Sequence, residues 1–108
     1  MIAAPPRTDA QRMEALDRAN MIRSHRAALK GEIQAGRANV TGLLADPHPE
    51  ILTMRLTHLL GAIPKWGPVR VTRLLRMLRI SEVKPVGGIS DRQRALLIAE
   101  LYEMGVRR

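Results

Sequence analysis

The chain has 108 residues, enough for one small domain with a modest core. It has no cysteine, which excludes a disulfide scaffold and a cysteine-ligated metal site. It also has no phenylalanine, so the core must be built mainly from aliphatic side chains. The formal net charge is +8, and Arg outnumbers Lys by 15 to 3. This charge indicates a polyanionic partner, either nucleic acid or an anionic membrane, and guanidinium groups favour phosphate because they bind its oxygens in pairs.

The chain carries no sign of a membrane segment or a signal peptide. No apolar run approaches the length of a span, and the stretch MIAAPPRTDAQR has no hydrophobic signal core. We therefore expect a cytoplasmic protein. A membrane-surface or purely protein-binding helix is a remaining possibility, but the first predicted helix lacks the broad apolar face that membrane binding requires.

A long first helix is predicted from Asp9 to about Ala35. Thr8 and Gln11 form a capping-box pattern at its start, and Gly36 ends it. The apolar positions, Met13, Leu16, Ile22, Leu29 and Ile33, are sparse and drift around the axis, so we expect a helix that is only partly packed. One narrow strip is basic and consists of Arg12, Arg23, Arg26, Lys30 and Arg37. The strip is either a solvated face or an arm laid along a polyanion.

The rest of the chain is also predicted to be helical. A short turn of helix around Gly42 to Ala45 is followed by a helix from about Ile51 or Leu56 to Ala62. After a hairpin comes a helix from Pro68 to Arg79, then the loop ISEVKPVGGIS, then a last helix capped by Ser90. No stretch is a strong strand candidate, so the predicted fold is all-α. The predicted core positions are Leu56, Leu59, Leu60, Ile63, Val71, Leu74, Leu75, Leu78, Leu96, Leu97, Ile98, Leu101 and Met104.

The hairpin IPKWGPVR is the most informative stretch. Residues 51–94 carry nine Lys or Arg against two acidic residues, so most of the positive charge surrounds it. A helix that begins directly after a glycine turn presents unpaired amides and a positive dipole end, which together bind anions. Lys65 and Arg70 flank the turn, and Gly67 would allow a phosphate oxygen to approach the backbone. The pattern indicates either a phosphate clamp of helix-hairpin-helix type or an ordinary helix–helix turn.

Trp66, the only tryptophan, has two interpretations. An apolar residue before the glycine of such a hairpin usually packs between the helices as core, and we favour that placement. The alternative is a ring exposed at the DNA surface, where it would act as a wedge near the minor groove.

The sequence gives little support for enzymatic activity. His25, His48 and His58 are scattered without metal-ligand spacing, and no Ser-His-Asp or Cys-His set can be assembled. We therefore predict a protein without catalytic activity, metal or cofactor.

Several segments, in this order, make the chain resemble the actinobacterial integration host factor family. They are TDAQRMEALDRA, RAALK, NVTGLL, MRLTHLLGAIPKWGPVR and GGISDRQRALL. The resemblance runs almost end to end. It implies a long N-terminal helix, at residues 1–38, followed by a helix–two-turns–helix DNA-binding unit, at residues 39–108. It also implies a nucleoid-associated protein that binds duplex DNA with little sequence preference, bends or compacts it, and supports integrase in site-specific recombination.

The chain departs from the family pattern around the two-turn loop. Where the family typically carries several arginines, this chain has Lys84-Pro85-Val86-Gly87, and Trp66 and Pro68 replace a usual Val and Lys. Basic residues gather instead at Arg73, Arg76 and Arg79. One contact surface is therefore expected to be weakened or moved, as in a phage-borne or divergent member.

We predict a monomeric or weakly associating protein that binds the backbone of double-stranded DNA. The predicted contacts are Lys65, Trp66, Gly67, Val69, Arg70, Arg73, Lys84, Arg92 and Arg94, with a secondary contact through Arg23, Arg26, Lys30 and Arg37. The alternative is an RNA-binding protein of ribosomal type, which uses a similar hairpin. The absence of a long basic tail and of stacking aromatics counts against it.

Overall fold

The computed structural model describes residues 8–106. Residues 1–7 and 107–108, which belong to the two segments expected at residues 1–38 and 39–108, lie outside the described part. Five α-helices follow one another in the chain: α1 Asp9–Gln34, α2 Val40–Ala45, α3 Leu56–Gly61, α4 Pro68–Met77 and α5 Asp91–Glu103. Short 3₁₀ turns lie at Pro49–Ile51 and Val86–Gly88. Within residues 8–106 there is no strand, so the all-α prediction is confirmed.

Capping residues in the sequence set several of the helix ends. Thr8 caps α1 and Ser90 caps α5, and each forms the predicted capping box, with Gln11 and Gln93 respectively. Gly36 follows α1 with φ 75°, a left-handed conformation that glycine adopts without a steric penalty. These predicted boundaries are therefore confirmed.

α4 is shorter than predicted because a Schellman motif ends it two residues early. It ends at Met77, and Arg79 adopts a left-handed conformation with φ 57°. The amide of Arg79 donates to the carbonyl of Arg76, and the amide of Ile80 donates to that of Leu75, as in a Schellman motif. The predicted extension to Arg79 is therefore wrong, and Arg79 lies beyond the end of the helix that carries Arg70, Arg73 and Arg76.

The core joins all five helices. It contains Ile33, Val40, Leu44, Ile51, Met54, Leu56, Leu59, Leu60, Ala62, Ile63, Trp66, Val71, Leu74, Leu75, Ile80, Val86, Ile89, Leu97 and Leu101. The predicted core positions Leu96, on α5, and Met104, directly after it, are instead exposed, while Leu97 and Leu101 are buried. The helix packs through only one narrow stripe, and these two side chains lie beside it.

α1 is only partly packed, as predicted. Its 26 residues extend for about 39 Å, while the molecule measures 54 Å along its longest axis. Ile33 is buried and Leu29 half-buried near the C-terminal end, whereas Met13 and Leu16 near the other end are exposed. No helix in the described part of the chain is long and apolar enough to cross a membrane.

Candidate nucleic-acid interface

The hairpin between α3 and α4 is a tight turn with a lysine in an unusual conformation. The amide of Trp66 donates to the carbonyl of Ile63 at 3.0 Å, Pro64 occupies the second turn position, and Lys65 occupies the third with φ 68°. This is the pattern of a type II turn, whose third position is normally glycine. A residue with a Cβ costs about 1 kcal/mol there. Lys65 is exposed, so its ammonium group is presented at the tip of the hairpin.

The N-terminus of α4 leaves backbone donors available. α1 and α5 begin with capping boxes and with an acidic residue in the first turn, whereas α4 begins at Gly67 with no side-chain cap and no acid. Pro68 lacks an amide hydrogen, and the amides of Val69 and Arg70 donate to no group within residues 8–106. Two exposed N–H groups at the positive end of a ten-residue helix are suited to an anion.

Gly67 is not required by the protein's own backbone or packing. Its φ is −82°, which any residue can adopt, and a Cβ built there would meet no atom within 4 Å. The missing side chain therefore leaves open space in front of the α4 amides, where a phosphate oxygen could approach.

Trp66 lies in the core with an exposed fraction of 6%, so the core interpretation is confirmed and the exposed wedge is excluded. The guanidinium carbon of Arg70 lies 4.3 Å from the centre of the indole ring. Within residues 8–106 no carboxylate pairs with Lys65, Arg70 or Arg73. We call these three side chains, together with the amides of Val69 and Arg70, the hairpin clamp.

Two further cations follow the clamp in the chain, and the first of them, Arg76, lines a depression with Val69 and Arg73. Arg76 donates from Nε to Oε1 of Glu82 at 3.0 Å, so its charge is partly neutralised. Arg79, beyond the helix end, lines a depression together with Arg92 and Gln93. Arg92 is exposed there. The structure thus groups Arg79 with Arg92 on a surface that the sequence analysis did not identify.

Arg94 donates hydrogen bonds to two distant parts of the backbone. Its Nη1 donates to the carbonyl of Leu44 at 2.8 Å, and its Nη2 donates to that of Val86 at 3.1 Å. The side chain is partly buried and ties α2 and the second 3₁₀ turn to α5. These bonds give Arg94 a role in the fold, and its predicted contact with DNA stays a prediction. Sequence reasoning missed the structural role because both acceptors lie far away along the chain.

Two members of the predicted strip on α1 are engaged in protein contacts. Arg26 donates to the carbonyl of Glu50 at 3.1 Å and to the hydroxyl of Thr53, which docks α1 on the first 3₁₀ turn. Arg37 forms two hydrogen bonds to Glu32, and these lower the pKa of that carboxyl and raise the pKa of the guanidinium. Only Arg37 is paired with a carboxylate, whereas the two acceptors of Arg26 are neutral and leave its charge uncompensated.

Two other members of the strip, Arg23 and Lys30, line a basic cleft, and Arg26 lines it as well. Arg55, directly before α3, and His58 of α3 line the same depression of about 390 Å³, and no carboxylate lines it. Sequence reasoning missed Arg55, although its position directly before α3 was a usable signal. Lys84 is close in the fold, because the amide of Leu56 donates to its carbonyl and its Nζ donates to that of Gly88.

The histidines form no metal site. His25 contacts Oε2 of Glu50 through Nδ1 at 2.8 Å, which helps to dock α1. His58 lies at the basic cleft. In the described part of the chain, no three His, Asp or Glu side chains are grouped so as to hold a metal ion.

Comparisons with known proteins agree with this architecture. No protein-family model matches the chain. The integration host factor of Mycobacterium tuberculosis is 37% identical over 99 residues, which cover 90% of this chain and 94% of that protein. The integration host factor of Streptomyces coelicolor is 31% identical over 106 residues, covering 96% of this chain and 99% of that protein.

A solved structure extends the likeness to three dimensions. The structure of sIHF bound to an 8-base-pair palindromic DNA covers 78% of this chain and 97% of the solved chain. The TM-score is 0.72 and the sequence identity is 28%. From these identities and coverages, the chain belongs to the integration host factor family of the mycobacterial and streptomycete relatives.

Proposed function

We propose that this protein is a non-enzymatic, nucleoid-associated protein that binds double-stranded DNA through its phosphate backbone. The observation that carries the proposal is the hairpin clamp. Within residues 8–106, two amides and three cations without a protein partner lie in the hairpin and the first two turns of α4, beside an open space at Gly67. Family membership and the likeness to a DNA-bound relative support duplex DNA as the polyanion.

The clamp is suited to phosphates rather than to base edges. Backbone amides and guanidinium groups bind phosphate oxygens, which are the same in every sequence. α4 presents Arg70 and Arg73 but no Asn or Gln that could form paired hydrogen bonds with an adenine. Sequence preference should therefore be slight.

The basic cleft gives the molecule a second contact surface in this proposal. Arg23 and Lys30 of α1 and Arg55, the cap residue of α3, would bind phosphates at the opposite end of α3 from the hairpin. A protein that binds DNA through both the hairpin clamp and the basic cleft would bend one duplex or hold two DNA segments together. Either arrangement would compact the DNA. Arg23→Ala with Arg55→Ala should then reduce DNA compaction more than it reduces affinity for a short duplex.

The proposal is tested by competition between two polyanions. A labelled DNA duplex bound to the protein is challenged with unlabelled duplex DNA or with structured RNA of equal length. We expect the DNA to compete better, and Lys65→Ala with Arg70→Ala to weaken binding of the label. Better competition by RNA would favour the ribosomal-type alternative, which the comparisons do not support.

We also propose that the protein supports an integrase in site-specific recombination. An integrase reaction on purified DNA, with and without the protein, tests it. The protein should raise the yield of recombinant product, and the Lys65→Ala, Arg70→Ala variant should not. An equal yield in all three reactions would remove the recombination role without affecting DNA binding.

A further inference from the structure

The ring of Trp66 contacts both the core and the clamp. Trp66 is 6% exposed and belongs to the core, while the guanidinium carbon of Arg70 lies 4.3 Å from the ring centre. Trp66 precedes the cap residue of α4 and Val71 is the fourth helical residue, so the two occupy the positions of a hydrophobic staple. Both side chains are buried. The ring is therefore fixed relative to the first turn of the helix.

A fixed ring restricts the guanidinium that lies over it. An arginine side chain has many rotamers, and ordering it upon binding costs conformational entropy. Stacking on an indole face selects orientations in which the N–H groups at the edge of the guanidinium remain free, because the ring contacts the guanidinium plane. Arg70 forms no ion pair within residues 8–106, so its full charge remains available.

We propose that Trp66 is a positioning residue of the hairpin clamp, which holds the guanidinium of Arg70 in place for a phosphate of the DNA backbone. The inference rests on the proposed function and deepens it. Trp66 does not touch the DNA itself in this account. It raises affinity by ordering Arg70 before binding occurs.

The experiment is a set of double-mutant cycles with duplex DNA, using the full chain. Trp66→Leu removes the aromatic ring and keeps an apolar side chain, and Trp66→Phe keeps a ring. Each is combined with Arg70→Ala and, as the matched control, with Arg73→Ala. Circular dichroism at the binding temperature selects variants that keep the helical signal. Trp66→Met, a side chain that adapts to irregular gaps, replaces the Leu variant if that one does not fold.

A positioning role predicts coupling to Arg70 alone. Trp66→Leu should weaken binding about threefold to fivefold, the loss expected from one cation–π contact, and Trp66→Phe should weaken it less. In the Arg70→Ala background the effect of Trp66→Leu should nearly vanish. In the Arg73→Ala background it should persist. An equal loss in all three backgrounds would show that Trp66 acts only through the fold.

The same measurements distinguish a failure of the positioning role from a failure of the proposed function. If Arg70→Ala weakens binding and Trp66→Leu adds to it independently, the positioning role is wrong and the clamp stands. If Arg70→Ala alone leaves affinity unchanged, Arg70 is not part of the clamp and the positioning role falls with it. If the unmodified protein does not bind duplex DNA, the proposed function itself is wrong.

Discussion

The guanidinium of Arg94 joins two backbone carbonyls, those of Leu44 and Val86, at 2.8 and 3.1 Å. The two acceptors lie in different parts of the chain, at the end of α2 and in the second 3₁₀ turn. A basic residue in a strongly basic protein can therefore serve the fold rather than the ligand. Net charge alone overstates the number of side chains available for DNA.

Arg94→Met should lower the free energy of unfolding by about 1–3 kcal/mol, because it leaves partly buried carbonyls without their donor. Arg92→Ala, on the exposed side of the same helix, should change it by less than about 0.5 kcal/mol. Denaturant unfolding of both variants measures the difference. If Arg94→Met loses DNA affinity without losing stability, Arg94 belongs to the interface after all.

Gly67→Ala separates binding from folding. The backbone at Gly67 accepts alanine and the added Cβ meets no atom, so stability should stay the same or rise by about 0.4–1 kcal/mol. Affinity for duplex DNA should fall about tenfold, comparable to one lost charge-assisted hydrogen bond, because the Cβ occupies the approach to the α4 amides.

Gly61→Ala is the matched control for that substitution. Gly61 lies at the end of α3, and a Cβ there also meets nothing within 4 Å. This variant should gain stability and keep its affinity. Equal affinities for the two alanine variants would mean that no phosphate approaches Gly67.

Two substitutions at Lys65 distinguish charge from conformation. Lys65→Gly relieves the left-handed φ and should stabilise the fold by up to about 1 kcal/mol, while Lys65→Ala keeps the strain and should be neutral. Both remove one cation, so both should make the slope of log K against log salt less steep by about 1, equally for unrelated duplexes. A Lys65→Gly variant that binds like the unmodified protein would remove Lys65 from the clamp.

The charges after the hairpin should not be equivalent. Arg73 follows Arg70 on the same face of α4, whereas Arg79 has left the helix and Lys84 donates to the carbonyl of Gly88. Arg73→Ala should therefore weaken affinity more than Arg79→Ala combined with Lys84→Ala. Affinity and DNA compaction are measured separately for both variants. Greater damage from the Arg79 and Lys84 pair would show that the two-turn loop is the main contact.

Local rules predicted much of the fold because several boundaries are set by neighbouring residues. Thr8 with Gln11 and Ser90 with Gln93 satisfy amides within one turn, and Gly36 ends α1 by its own conformational freedom. The early end of α4 escaped prediction because Arg79, a residue with a Cβ, takes the left-handed position that usually marks a glycine.

The sequence predicted site residues that are close together in the chain. It did not predict contacts between residues that are far apart in the chain. Lys65, Gly67 and Arg70 belong to one turn, so their spacing alone brings them together. Arg26 and Arg94 contact carbonyls many residues away, and Arg55 faces α1 only in the folded chain. Helical periodicity cannot reveal such partners, since it describes one helix at a time.

The salt dependence of affinity tests whether the clamp binds backbone phosphates of duplex DNA. If about five to eight phosphates are neutralised, log K should fall against log salt with a slope of roughly −4.5 to −7. The same slope should appear for two duplexes of unrelated sequence, with similar affinities at each salt concentration. A slope near zero, or strong discrimination between the duplexes at one salt concentration, would contradict the account.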